Sequence, residues 1–155
     1  MNRRLTLAHL SAITLSPPEL IRLAARVGFD GVGLRLLRVT ETSPGYSLMD
    51  DPAMMRATLN ALRDTASEVT DIEFLRMTPD FEVSRFETFL AAGQQLGARH
   101  LITAPYDPDL TRLADNLSIL ADRAAAFDLS PVLEFFPWTN VPDLATVSQI
   151  ADAAG

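Results

Sequence analysis

The chain has 155 residues, 48% of them hydrophobic, a formal net charge of −7 and no cysteine. That is enough for one domain with a sizeable core, and it excludes disulfides, thiolate metal sites and cysteine nucleophiles. All 13 basic residues are arginines dispersed through an acidic chain, without the basic patch of a nucleic-acid binder, so no nucleic-acid partner is expected.

The start Met1-Asn2-Arg3-Arg4 is basic, but the apolar run behind it is about seven residues long and is broken by His9, so it does not read as a signal peptide. No segment approaches the roughly 18 apolar residues of a membrane span. A cytoplasmic protein with no membrane partner is the expectation.

The elements alternate along the chain. Residues 5–10 form a short apolar strand. Ser16-Pro17-Pro18-Glu19 is a capping box with proline in the first turn, and the helix over 19–27 puts Leu20, Leu23, Ala24 and Val27 on one face before Gly28. A second strand spans 32–37, followed by a long loop over 39–49, a length that in compact domains is disproportionately functional. Asp51-Pro52 opens the next helix, with Met55, Leu59 and Leu62 on its inner face. Strand three covers 71–77, its helix 81–96, and strand four about 100–104. The turn Pro105-Tyr106-Asp107-Pro108 starts a helix carrying Leu113, Leu117, Leu120 and Ala124, strand five is 132–136, and a last helix runs over 142–153.

Strands separated by helices imply parallel βα units with right-handed crossovers. Five units permit a complete open sheet of the flavodoxin type or the first five units of an eight-unit barrel. Length favours the open sheet; the polar residues at the strand ends favour the barrel. Alternation along a strand puts Arg35 with Gly33, opposite Val32 and Leu34, and an arginine facing a helix would be costly, whereas in a barrel it looks into the interior. The fold class expected is therefore α/β, parallel βα repeats forming a partial (β/α)8 barrel.

In either architecture ligands sit at the carboxyl ends of the strands. Read in order, those ends offer His9, Arg35, Arg76, Tyr106 with Asp107, and Glu134. Glu134 stands as one acid in the apolar run Pro131-Val132-Leu133-Glu134-Phe135-Phe136, and must be neutralised, paired or bound to a metal. Oxygen ligands suit a divalent cation; the alternative is an ion pair with Arg35 or Arg76. Arg35 and Arg76 could each clamp an anionic or hydroxylated substrate, while Glu73 could instead hold Arg35 in a structural pair. His9 reads as a substrate donor or acid/base group, or as a satisfied histidine at a strand end. Trp138 could wall a sugar pocket, or simply pack. His100 begins its strand at the wrong end for chemistry. Asp109, Arg112, Asp115 and Arg123 read as a solvated helix face. The Gly-x-Gly-x-x-Gly pattern fails at Leu36, and no Walker, Gly-x-Ser-x-Gly or His-Glu-x-x-His motif is present.

The opening Leu7-Ala8-His9-Leu10 and Ser16-Pro17-Pro18-Glu19-Leu20, the phrase from Ala24 through Gly28-Phe29-Asp30-Gly31-Val32-Gly33 to Arg35, and the segments Leu96-Gly97-Ala98-Arg99-His100-Leu101 and Val132-Leu133-Glu134-Phe135 resemble the xylose isomerase-like TIM barrels. This is the superfamily of sugar phosphate isomerases and epimerases that also includes endonuclease IV. The resemblance implies that Glu134 binds a divalent metal (Mn, Mg or Zn), with the remaining ligands supplied by strands six to eight. It also implies proton transfer between adjacent carbons of a small sugar, polyol or keto-acid, for which the strand-end residues His9, Arg35, Arg76 and Trp138 are the candidate substrate contacts. The expectation is a single domain over 1–155, truncated before strands six to eight and inactive alone, with open edges where pairing into a homo-oligomer could occur. The alternative is a non-catalytic open-sheet module that binds a small molecule.

Overall fold

The computed structural model describes residues 3–155. The sequence reading of the N-terminus involves Met1 and Asn2, which lie outside the described residues.

Helix α1 (Pro17–Arg26) begins where the sequence places its cap: the Glu19 carboxylate accepts the main-chain N–H of Ser16 at 2.9 Å. The helix carries Leu20, Ile21 and Ala24 against the sheet, all fully buried. It follows a very short strand β1 (Thr6–Leu7) and a 3-10 turn (His9–Ala12). The remaining elements are β2 (Gly31–Arg35), α2 (Pro52–Thr65), β3 (Glu68–Met77), a 3-10 turn (Val83–Phe86), α3 (Glu87–Leu96), β4 (His100–Pro105), α4 (Leu110–Ala125), β5 (Ser130–Leu133) and α5 (Leu144–Ala154). Asp51, Asp109 and Asp143 cap α2, α4 and α5 by accepting main-chain N–H groups of the first turn. Gly97 closes α3 at φ 71, where a side chain would be strained. None of these helices is long and apolar enough to cross a membrane.

The five strands are all parallel and lie in the order β1-β2-β3-β4-β5. Sequential order decides between the two architectures. A doubly wound sheet reverses direction at a switch point, as in the order 2-1-3-4-5. With right-handed crossovers throughout, an unreversed order puts every helix on one face, which is the arc of a (β/α)8 barrel. The core lies between that arc and its helices: Leu34, Ile72, Leu75 and Leu101 from the strands meet Leu20, Leu90, Leu113 and Leu120 from the helices, each with no exposed surface.

The opposite, concave face carries the polar residues. Gly93 of α3 sits so close to the Cδ1 of Ile72 that a Cβ there would stand 2.6 Å away. Ile72 therefore faces the helices, and its neighbours Asp71 and Glu73 face the concavity. Register places Gly33 beside Asp71 and Arg35 beside Glu73.

Two strand expectations are corrected. Strand one ends at Leu7, and His9 opens the 3-10 turn instead of ending a strand. Strand five ends at Leu133, so Glu134 lies one residue beyond it. Nor is β5 a buried strand: it is an edge of the sheet, with Val132 40% and Phe135 44% exposed, because none of the described strands pairs with its outer side.

Candidate functional site

Arg35 ends β2 and Glu73 lies opposite it on β3. Their side chains are each 9% exposed, and Arg35 Nε stands 3.2 Å from Glu73 Oε1. The contact is an ion pair without hydrogen-bond geometry, since both atoms are buried and neither makes a hydrogen bond. The guanidinium also lies over the Phe74 ring, 5.3 Å from its centroid, an arrangement that suits a flat, weakly hydrated cation.

Glu134 follows β5, anchored by its own main-chain N–H to the Thr103 carbonyl at 2.9 Å. The residue is exposed at its surface, but the protein around its carboxyl displaces enough water to push it above the usual range. The negative charge of Glu73 pushes the same way, and Arg35 opposes both. Arg35 and Glu73 thus meet across β2 and β3, and their charges are felt by Glu134 in the segment after β5.

Beside them runs a chain of aromatic contacts that sequence reasoning missed apart from its ends. Phe74 meets Phe136 edge-on at 6.0 Å; Phe136 stacks on Trp138 at 4.9 Å and approaches Tyr106 at 6.2 Å. Arg76 lies over the Tyr106 ring at 4.5 Å and donates to the Val39 carbonyl at 3.2 Å. Trp138 is 70% exposed and, with Tyr106, Asp107 and Asn140, lines a cavity of about 300 Å³. In the sequence Phe74 carries no assigned role and Phe136 stands only as part of an apolar run; the shared strand ends are the one signal that could join them.

His9 is placed differently. It has no exposed surface, its Nδ1 accepts the Arg35 main-chain N–H at 3.0 Å, and its Nε2 donates to the Leu15 carbonyl at 2.9 Å. The ring stacks on Tyr46 at 5.1 Å. Burial holds its pKa below the ordinary value. Neither nitrogen remains for a substrate, so the geometry here is that of a histidine tying β1 to β2.

The charges on α4 are more than a solvated face. Arg112 Nε and Nη2 each donate to the Asp107 carboxylate at 2.7 Å, and Asp107 is 1% exposed. This fork holds the β4–α4 turn that carries Tyr106, and it keeps the Asp107 carboxyl below the usual range. Arg123 pairs with Glu87 and so ties α4 to α3. Two further cavities, of about 370 and 400 Å³, lie on the helical side, between α2 and α3 and between α4 and α5; neither contains these residues.

The residues present do not by themselves fit a metal site. Among the described residues no three of His, Asp and Glu gather where they could hold a cation. Glu73 is engaged by Arg35 and His9 has no free nitrogen, which leaves Glu134 as a single donor.

No family model and no curated protein matches the chain. Solved structures do. A xylose isomerase domain containing protein from Salmonella typhimurium LT2 aligns with 100% of this chain and 59% of its own, at 23% identity and TM-score 0.79. The IOLI protein with a bound zinc atom aligns with 98% of this chain and 59% of its own, at 15% identity and TM-score 0.78. The 3-keto-D-glucoside 4-epimerase YcjR from E. coli aligns with 99% and 65%, at 15% identity and TM-score 0.71. The fold is therefore that of a partial (β/α)8 barrel, similar to the barrels of these structures. The chain spans about six-tenths of the length of these three structures.

Proposed function

We propose that this chain supplies the substrate-facing strand ends of a sugar isomerase or epimerase acting on a small carbohydrate-like molecule. The observation that carries the reading is the buried pairing of Arg35 at the end of β2 with Glu73 of β3 on the concave face, beside an aromatic surface that runs to exposed Trp138 in the segment after β5, where Glu134 also lies. Arg35 and Glu73 would orient hydroxyl or carbonyl oxygens. Trp138 would stack on the apolar face of the carbon skeleton, and Arg76 would flank it. The proton moved between adjacent carbons would be carried by an acid/base group other than these residues. The names of two similar structures, a 3-keto-D-glucoside 4-epimerase and a D-psicose 3-epimerase, support this choice of chemistry.

In this reading Glu134 is one ligand of a divalent metal whose other ligands come from βα units beyond the five seen here. The zinc of the IOLI protein supports that choice. Calorimetry with Mn²⁺ tests it on this chain and on a form extended by three further βα units, each with Glu134→Ala as control. Binding in the extended form alone, lost in the variant, is the expected result; no binding in either withdraws the metal role. Deuterium uptake next to a ketose carbonyl in D₂O tests the proton transfer.

A second reading, a non-catalytic module that binds a small molecule, is favoured by one observation: a single hydrophobic core runs from α1 to Ile150 of α5. Sugar binding without proton exchange in either form would select it. Exposed Val132 and Phe135 favour pairing of edge strand β5 with a further strand, whether from more of the same barrel or from a second copy.

A further inference from the structure

We infer that the Arg35–Glu73 pair sets substrate class: it reads adjacent hydroxyls of a neutral polyol and turns away ligands that place a carboxylate or phosphate there. The inference rests on the carbohydrate reading of the strand ends and narrows it.

The pair is nine-tenths buried, and its two facing atoms, Nε and Oε1, are shut off from solvent. What remains of it is the terminal nitrogens of Arg35 and the second oxygen of Glu73. Each side chain keeps about a tenth of its surface exposed, and only Nε and Oε1 are both buried and unpaired, so a ligand reaches the pair through these outer atoms. Donors and an acceptor therefore stand side by side, held in place by the ion pair and by the Phe74 ring beneath the guanidinium.

A hydroxyl both donates and accepts, so two neighbouring hydroxyls can bridge Arg35 and Glu73 and satisfy both. An ionised carboxylate or phosphate can only accept. It would use Arg35 but stand against the Glu73 carboxylate that already pairs with it. The pair is neutral as a whole, so it holds no spare positive charge for an anion. Arg76 does not supply one, because it is turned onto Tyr106 and the Val39 carbonyl. Like charges within a few ångströms in a partly buried site repel strongly, and a site with unused polar groups discriminates against ligands that leave them unpaired.

The test is an NMR titration of this chain, in buffer containing EDTA and little salt, with xylitol and with D-xylonate. These linear five-carbon ligands differ only at one terminus. Xylitol should bind at least about ten-fold more tightly, which corresponds to about 1.4 kcal/mol. Glu73→Gln, which keeps the shape and removes the charge, should narrow that gap mainly by admitting xylonate. Arg35→Met/Glu73→Leu leaves no lone buried charge and should lose xylitol binding, with its fold checked by circular dichroism. Xylonate binding as tightly as xylitol would overturn the inference alone, as would a folded double variant that keeps xylitol affinity. Binding of neither ligand would overturn it together with the carbohydrate reading on which it rests.

Discussion

His9 Nδ1 accepts the main-chain N–H of Arg35 at 3.0 Å, so the residue that ends β2 is held in place by a buried ring from the turn after β1. Because β1 pairs with β2 over only two residues, this bond and the one from Nε2 to Leu15 carry much of that junction. His9→Ala would leave a buried donor and a buried acceptor unpaired and open space beside Tyr46. The expected cost is about 2–4 kcal/mol, read as a lower urea midpoint.

The same ring makes stability depend on pH. Burial lowers the pKa of His9 in the folded protein, while in the unfolded chain it titrates near its ordinary value of about 6.5. Between the two values the unfolded state binds a proton that the folded state refuses. The His9 contribution is therefore complete above about pH 6.5 and is lost as pH falls below it. A series of urea midpoints across this range should slope downward toward acid in the native chain and flatten in His9→Leu.

Breaking the Arg35–Glu73 pair from one side should cost more than removing both partners. Arg35→Met alone strands a buried carboxylate, at an expected cost of about 3–5 kcal/mol, whereas Arg35→Met/Glu73→Leu should lie within about 1.5 kcal/mol of the native chain. Denaturant unfolding of the two variants checks the order. A double variant as unstable as the single one would mean that the two side chains do not compensate each other.

Two glycines report how tightly the arc is built. A Cβ at Gly31 would stand 2.5 Å from the Glu68 main-chain oxygen, which cannot move without shifting β3. At Gly93 the nearest atom, at 2.6 Å, is the terminal methyl of Ile72, which can rotate. Gly31→Ala should therefore cost more than Gly93→Ala, the former about 1–3 kcal/mol. Paired thermal melts would show the difference.

Much of the arc was legible because its signals are local. The Ser16–Glu19 box, Asp51 and Gly97 stand where helix ends require them, whereas Asp109, read as part of a solvated face, caps α4. The helix α2 ends at Ala66 in a left-handed conformation with φ 52, and there no glycine marks the stop. Strand order is a long-range property, and only the pairing of β2 with β3, where the order 2-1-3-4-5 would put β1 beside β3, distinguished a barrel arc from a doubly wound sheet. At the site, alternation was enough to put Arg35 in the concavity and to offer Glu73 as its partner. It could not show that His9 leaves its strand and turns both nitrogens to main chain, nor that Arg112 reaches back to a buried Asp107. Those contacts depend on turns whose geometry no periodicity encodes.

Trp138 is the one tryptophan in the chain, and it is stacked on one face only. A ketohexose bound at the strand ends should alter its fluorescence, and Trp138→Ala should weaken binding by about 1–2 kcal/mol, roughly the value of a lost stacking contact. A fluorescence change of the same size when the ligand is an amino acid would point to a non-specific effect.

The most direct measurement is a two-dimensional NMR titration of the isotope-labelled chain with D-fructose. The account predicts that perturbed main-chain signals gather at Arg35, Glu73, Tyr106 and the segment from Glu134 to Trp138. Perturbations confined to the cleft between α4 and α5, or none at all, would contradict it.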